Sequence, residues 1–140
     1  MAYSLESELT AVVTPYQRLA LLDDTSSGTE VAGLATTMIA DADSIIDGII
    51  SARYDVPLGT TPDRIKYLSL HIARALMYIR KGSPPDHILA DHTACLEMLA
   101  KIASGEVGIG IDPRPTERTG LQASVTSATR QMGRTNLAAI

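Results

Sequence analysis

Apolar residues in this chain recur in steps of three and four over long stretches, the repeat that lines them along one face of a helix. Val31, Leu34, Met38, Ala42, Ile45, Ile46, Ile49 and Ile50 keep that step, and Asp41, Asp43 and Asp47 fall off the stripe, on the side assigned to water. The pattern predicts a helix from Glu30 to Tyr54, on the order of 38 Å long at roughly 1.5 Å per residue. A second run, Pro62 to Lys81, puts Ile65, Leu68, Ile72, Leu76 and Ile79 on one face, and Tyr67, Leu70, Met77 and Tyr78 widen it. So broad an apolar surface marks a central helix, inside the domain or at a subunit contact. A third run, Pro84 to Ser104, turns Ile88, Cys95, Leu99 and Ile102 inward. Two short helices, Leu5–Val13 and Tyr16–Leu22, come before these three.

The punctuation between the runs agrees. Thr14-Pro15, Thr61-Pro62 and Ser83-Pro84 each set a capping hydroxyl before a proline at the first helical position, where a missing N–H does least harm. Gln17 and Asp86 stand three residues after their caps, as a capping box or its Asp analogue places them. Ser27-Gly28-Thr29-Glu30 offers another box, and Gly82 and Gly105 are expected helix stops. Three long helices and two short ones, joined by short loops, predict an all-α bundle over residues 1–111.

After Gly105 the character changes. Glu106–Ile111 (EVGIGI) alternates apolar and small residues, as a short strand or an extended arm does. Residues 112–140, an extended C-terminal arm set apart from the bundle, are rich in Pro, Thr, Ser, Gly and Arg. That composition builds no core of its own, so order there is expected to come from a partner.

Composition sharpens the picture. Apolar residues make up 45% of the 140, yet Phe and Trp are missing, so the core must pack from aliphatic side chains, Met and five Tyr. Such a core buries little area per residue, and burial between subunits would add to it. Residues 1–111 carry eight Lys/Arg against 14 Asp/Glu, a net −6, and residues 112–140 carry four Arg against two acids, a net +2. An acidic body argues against free DNA binding, whose affinity comes mainly from neutralising phosphates. The basic arm suits an acidic protein surface. A single cysteine excludes an intrachain disulfide and fits a reducing compartment. The N-terminus shows no secretory signal and no run is long enough to span a bilayer, so an unexported chain without membrane contact is expected.

Candidate chemistry is thin. Asp43 and Asp47 share a helix face and suit a metal or acid/base pair, but a solvated or ion-paired acidic face explains them better. His92 and Cys95 stand three apart, whereas His87 diverges from His92 by about 140° around the helix, and no CxxC closes a zinc site. Cys95 with His71 is a conceivable nucleophile and base, but no oxyanion-hole motif accompanies a cysteine on an apolar stripe. Gly105-x-x-Gly108-x-Gly110 follows a helix, the reverse of the context a phosphate loop requires. The Asp23–Gly28 stretch lacks the ligand spacing of a calcium loop. Arg114, Arg118, Arg130 and Arg134, without interleaved aromatics or a groove-reading helix, fit a protein partner better than DNA. No catalytic, metal or cofactor site and no enzymatic activity are predicted.

One ordered set of motifs remains. Ala40–Ala42 (Ala-Asp-Ala), Ile46–Gly48 (Ile-Asp-Gly), Arg53-Tyr54, Pro57-Leu58 and Pro62 follow one another, with Ile72-Ala-Arg74 and GEVGIGID at 105–112 further on. Together with the opening Met-Ala-Tyr, this set resembles the Mu-like phage head–tail connector family over about residues 1–112. Ala75-Leu76-Met77 departs from the family's aromatic-rich step, and the arm beyond Asp112 has no counterpart. The resemblance implies an adaptor in the virion neck, stacked below the portal protein and above a stopper or tail-completion protein. It implies a homo-oligomeric ring of about twelve copies, closed by heterologous contacts, through whose lumen DNA passes without sequence-specific binding. It carries no catalytic residues. Asp43, Asp47, Arg53, Tyr54, Pro57, Leu58 and Pro62 are implied as fold determinants, the prolines and Leu58 shaping the turn between the third and fourth helices. Two alternatives stand beside it: another neck ring component, such as a stopper or head-completion protein, and a small DNA-binding regulator.

Overall fold

A computed structural model describes residues 2–115. A 3-10 helix, Glu6–Ala11, leads into α1 (Pro15–Leu22), α2 (Leu34–Ile50), α3 (Asp63–Lys81) and α4 (Asp86–Ser104). The fold is all-α, and no strand occurs among the described residues. α3 is the central element: it packs against α2, α4, α1 and the 3-10 helix. Ile65, Leu68, Ile72 and Met77 are fully enclosed on it, facing Ile46 and Ile50 of α2 and Leu99 and Ile102 of α4. The widened girth of α3 is real at Leu70 and Met77, but Tyr67 and Ile79 are exposed.

Local chemistry sets the boundaries. At Thr14 the capping box forms as expected: its hydroxyl accepts from the Gln17 N–H, and the Thr14 N–H donates to Gln17 Oε1. The prolines of the next two starts sit one or more places earlier than expected. Pro62 and Pro85 are themselves the capping residues, with no side-chain cap, and Asp63 and Asp86 open the helices. There the acidic side chain in the first turn faces the positive end of the helix dipole in place of a hydroxyl cap.

α2 is shorter than the hydrophobic stripe, Leu34–Ile50 instead of Glu30–Tyr54. Two competitors stop its extension toward the N-terminus. Glu30 is drawn away to Arg18 on α1, at 2.8 Å. The N–H groups of Thr25, Ser27 and Gly28 all donate to the Asp23 carboxylate, which folds the loop around itself and leaves the Ser27–Glu30 box unmade. At the other end, residues 51–54 leave the helix in a tight turn whose N–H groups at Arg53 and Tyr54 both reach the Ile50 carbonyl.

α3 and α4 both end on glycine, at Gly82 (φ +84°) and Gly105 (φ +88°), in the left-handed region where other residues are strained. The two differ in their surroundings. A Cβ at Gly82 meets open space, whereas one at Gly105 collides with the Arg53 guanidinium laid across the end of α4. Gly82→Ala is therefore expected to cost about 1 kcal/mol and Gly105→Ala about 2 kcal/mol, read as a shift in urea midpoint.

Beyond Gly105 the chain runs on without regular secondary structure, bending at 106–107 and 110–111. Val107, Ile109 and Ile111 dip alternately into the core cluster, which accounts for the alternating pattern without any strand. The Gly108 carbonyl accepts from Arg64 at 3.3 Å. Arg114 then fastens the arm to the α2–α3 connection: its N–H donates to the Arg53 carbonyl at 2.8 Å and its Nε to Asp55 at 2.6 Å.

Candidate functional site

Two polar clusters interrupt the apolar packing. The first is at the N-terminus, where residues 2–5 fold back as a strap across α2 and α3. Asp43 was expected on the wet side of its helix; it is instead 5% exposed. The strap changes its environment. Asp43 Oδ2 accepts the Tyr3 N–H at 2.9 Å, and Oδ1 accepts the Ser69 hydroxyl at 2.6 Å. Ser69, fully buried on α3, is also 2.8 Å from the Ser4 hydroxyl, itself buried. One turn along α2, half-buried Asp47 accepts the Tyr3 phenol. The same phenol oxygen accepts the Leu58 N–H at 3.0 Å. Burial, followed by the bond to Asp47, pushes the Tyr3 phenol up to about 12. Burial likewise raises the Asp43 carboxyl above its ordinary range, against the hydrogen bonds from Ser69 and Tyr3. Asp41 alone of the three stays exposed, as expected.

The motif residues Asp43, Asp47 and Leu58 thus meet at Tyr3. Leu58 is 1% exposed and Tyr54 is 3% exposed, both in the core. Pro57, in a cis bond after Val56, lies exposed in the connection, and Pro62 caps α3. Arg53 packs over Gly105 instead. Residue spacing marks none of Tyr3, Ser4 and Ser69 as polar partners; the one signal in the sequence is the place of Tyr3 in the opening Met-Ala-Tyr of the resemblance.

The second cluster lies between α3 and α4. His71 Nδ1 is 2.7 Å from Asp91 Oδ2, and Arg74 bonds to the same oxygen. His71 also stacks on Tyr67, with ring centroids 4.0 Å apart. Burial opposes ionisation of Asp91, but His71 and Arg74 together hold its carboxyl below the usual range. Cys95 completes the group. Ligand-type atoms of His71, Asp91 and Cys95 all lie within 4.8 Å of one another. Desolvation, then the charge of Asp91, pushes the Cys95 thiol up to about 11. It is therefore protonated at neutral pH, the opposite of what a nucleophile needs. His87, one turn before Asp91 on α4, is exposed, and His92 is half-buried, with Nδ1 unpartnered among the described residues. A cleft of about 640 Å³ opens above the cluster, lined by Tyr67, Leu68, Ala94, Cys95 and Met98 with Asp63, Arg64 and Asp91 at its edge.

Of the arm arginines, Arg114 is exposed and paired with Asp55 within its own chain. Arg118, Arg130 and Arg134 lie outside the described residues. No helix among the described residues is long and apolar enough to cross a membrane.

These features define a small helical-bundle protein whose N-terminal polar groups fasten a strap to its core. Sequence similarity puts that bundle among proteins of Mu-like phages. The family model described as Bacteriophage Mu, Gp36 matches residues 3–127, and the chain belongs to that family. It is similar to gene product J of Escherichia phage Mu, 28% identical over 90 residues, covering 64% of this chain and 62% of that protein. It is also similar to the Mu-like prophage FluMu protein gp36 of Haemophilus influenzae, 30% identical over 97 residues, covering 69% of this chain and 67% of that protein. The aligned part thus spans less than two thirds of gene product J.

Proposed function

We propose that the protein is a head–tail connector subunit, an adaptor in the virion neck that forms a ring below the portal and continues the DNA channel toward the tail. The observation that carries this reading is membership of the Mu Gp36 family across residues 3–127, a span that includes every motif of the connector resemblance from Tyr3 onward. The motif residues serve packing: Leu58, Tyr54 and Asp43 are buried, Pro62 caps a helix, and Asp47 holds the strap. The acidic body supports the reading as well, because a negative lumen lets DNA pass without holding it. Exposed apolar side chains at Leu5 (62%) and Tyr16 (83%) offer contact area on neighbouring N-terminal elements.

Light scattering on the purified chain, with negative-stain images of the same sample, tests the proposal. Closed rings, alone or on addition of purified portal, are the expected result. A chain that stays monomeric with portal present overturns it, and rings that bind a tail-completion protein but not portal point to a different position in the neck. Removing residues 113–140 is expected to leave the helical circular dichroism and thermal midpoint of the bundle nearly unchanged. Among the described residues, the deletion takes away the contacts of exposed Arg114, an ion pair with Asp55 and bonds to the Arg53 and Tyr54 carbonyls, each worth about 0–1 kcal/mol. Assembly onto portal should fall, measured by co-sedimentation.

A further inference from the structure

His71, Asp91 and Cys95 are metal ligands by type, and they converge from two helices. Asp91 and Cys95 stand one turn apart on α4, and His71 faces them from α3. Cys95 is 3% exposed, a free thiol with no hydrogen-bond partner among the described residues, and it lines the α3–α4 cleft. We propose that these three side chains form a binding site for a divalent metal of the zinc class, with water in the cleft as a fourth ligand. A mixed set of one nitrogen, one carboxylate oxygen and one sulfur suits zinc, whereas magnesium and calcium take oxygen ligands. Bonds of roughly 2.0–2.3 Å set tetrahedral ligand atoms roughly 3.3–3.8 Å apart. The present separations are all within 4.8 Å, so the widest must shorten by roughly 1 Å to reach that range.

The place is already occupied by a positive charge. Arg74 bonds to Asp91 and lies 3.2 Å from His71 Nδ1, the position from which a metal would reach both. Its remaining ties are weak: one 3.4 Å bond to the Val12 carbonyl, and a buried Nε with no partner among the described residues. A metal ion therefore competes with Arg74 and swings it out. On binding, the Cys95 thiol gives its proton to solvent as sulfur bonds the metal. His71 presents the Nδ1 lone pair and keeps a proton on Nε2. Asp91 exchanges the guanidinium for the ion. The two anionic ligands balance the divalent charge, and the released proton makes binding tighter as pH rises.

Cobalt(II) titrated into the full chain, after reduction with a phosphine, tests the site. The expected result is near-ultraviolet thiolate-to-cobalt absorption that saturates at one ion per chain and is bleached by added zinc. His71→Ala is expected to weaken binding by about tenfold or more. Arg74→Gln, which removes the competing charge, should tighten it by about tenfold. Cys95→Ser should abolish the band, with Cys95→Ala as the alternative wherever circular dichroism shows the serine variant unfolded. No band at millimolar cobalt in both the native chain and Arg74→Gln overturns the proposal. So does a band that survives in a folded Cys95 variant.

Discussion

Tyr3→Ala is expected to lower the unfolding free energy by about 4 kcal/mol, although the residue stands third in the chain. Truncating a buried aromatic to alanine costs about 3–5 kcal/mol through lost burial and the cavity left behind, and Tyr3 is 2% exposed. Its phenol also holds Asp47 and the Leu58 N–H, so the variant strands a buried backbone donor in the α2–α3 connection. Tyr3→Phe keeps the ring and loses only the hydroxyl, and should cost about 1–2 kcal/mol. Urea denaturation followed by circular dichroism separates the two. Equal midpoints for Tyr3→Ala and the native chain would show that the strap is not part of the folded core.

The second large effect belongs to Asp43. Asp43→Ala removes the acceptor of two buried donors, the Tyr3 N–H and the Ser69 hydroxyl, and is expected to cost about 3 kcal/mol. It shares a network with Tyr3, so the two losses will not add, and a double-mutant cycle should return a clear coupling. The pH dependence has a definite sign. The folded protein raises the Asp43 carboxyl above its ordinary value of 3.8, chiefly by burial. The native state therefore holds that proton more tightly than the unfolded chain does. The group's contribution to stability is greatest below the ordinary carboxylate range and falls as pH rises through its folded pKa. Carboxyls such as Glu6, Asp24 and Asp91 are shifted downward and act in the opposite sense, so total stability against pH does not isolate Asp43. The difference between the native chain and Asp43→Asn, which cannot titrate there, does. That difference should shift against the native chain from about pH 4 upward; a flat difference would mean that the carboxyl is not buried.

The order of the helices was legible in the chain because period and punctuation agreed: the Thr14 box and the Gly82 and Gly105 stops each formed at the residue named. Boundaries failed where a side chain had a better partner elsewhere. Glu30 left the third helix for Arg18, and Asp23 took the N–H groups that a new helix start would have used. Asp43 was misplaced for a related reason. Helical periodicity assigns a polar residue to water unless a distant segment arrives to satisfy it, and that segment begins 40 residues earlier. In the α3–α4 cluster the pairing of His71 with Cys95 was conceivable from the sequence, but the place of Asp91 and Arg74 beside them was hidden in the same way. Twenty residues separate His71 from Asp91, and only the antiparallel pairing of the two helices brings them together.

The strap also bears on how the chain folds during synthesis. Tyr3 leaves the ribosome early, but Leu58 and Ser69 lie 55 and 65 residues behind their strap partners. At about 5–20 residues per second, the first segment waits roughly 3 to 13 seconds for the last of its anchors. For that time Tyr3 and Leu9 lack their completed core, and the strap presents apolar surface to whatever binds it first. The bundle closes late, when α3 has emerged, and the strap, made before its anchors, is among the last parts to be locked in place.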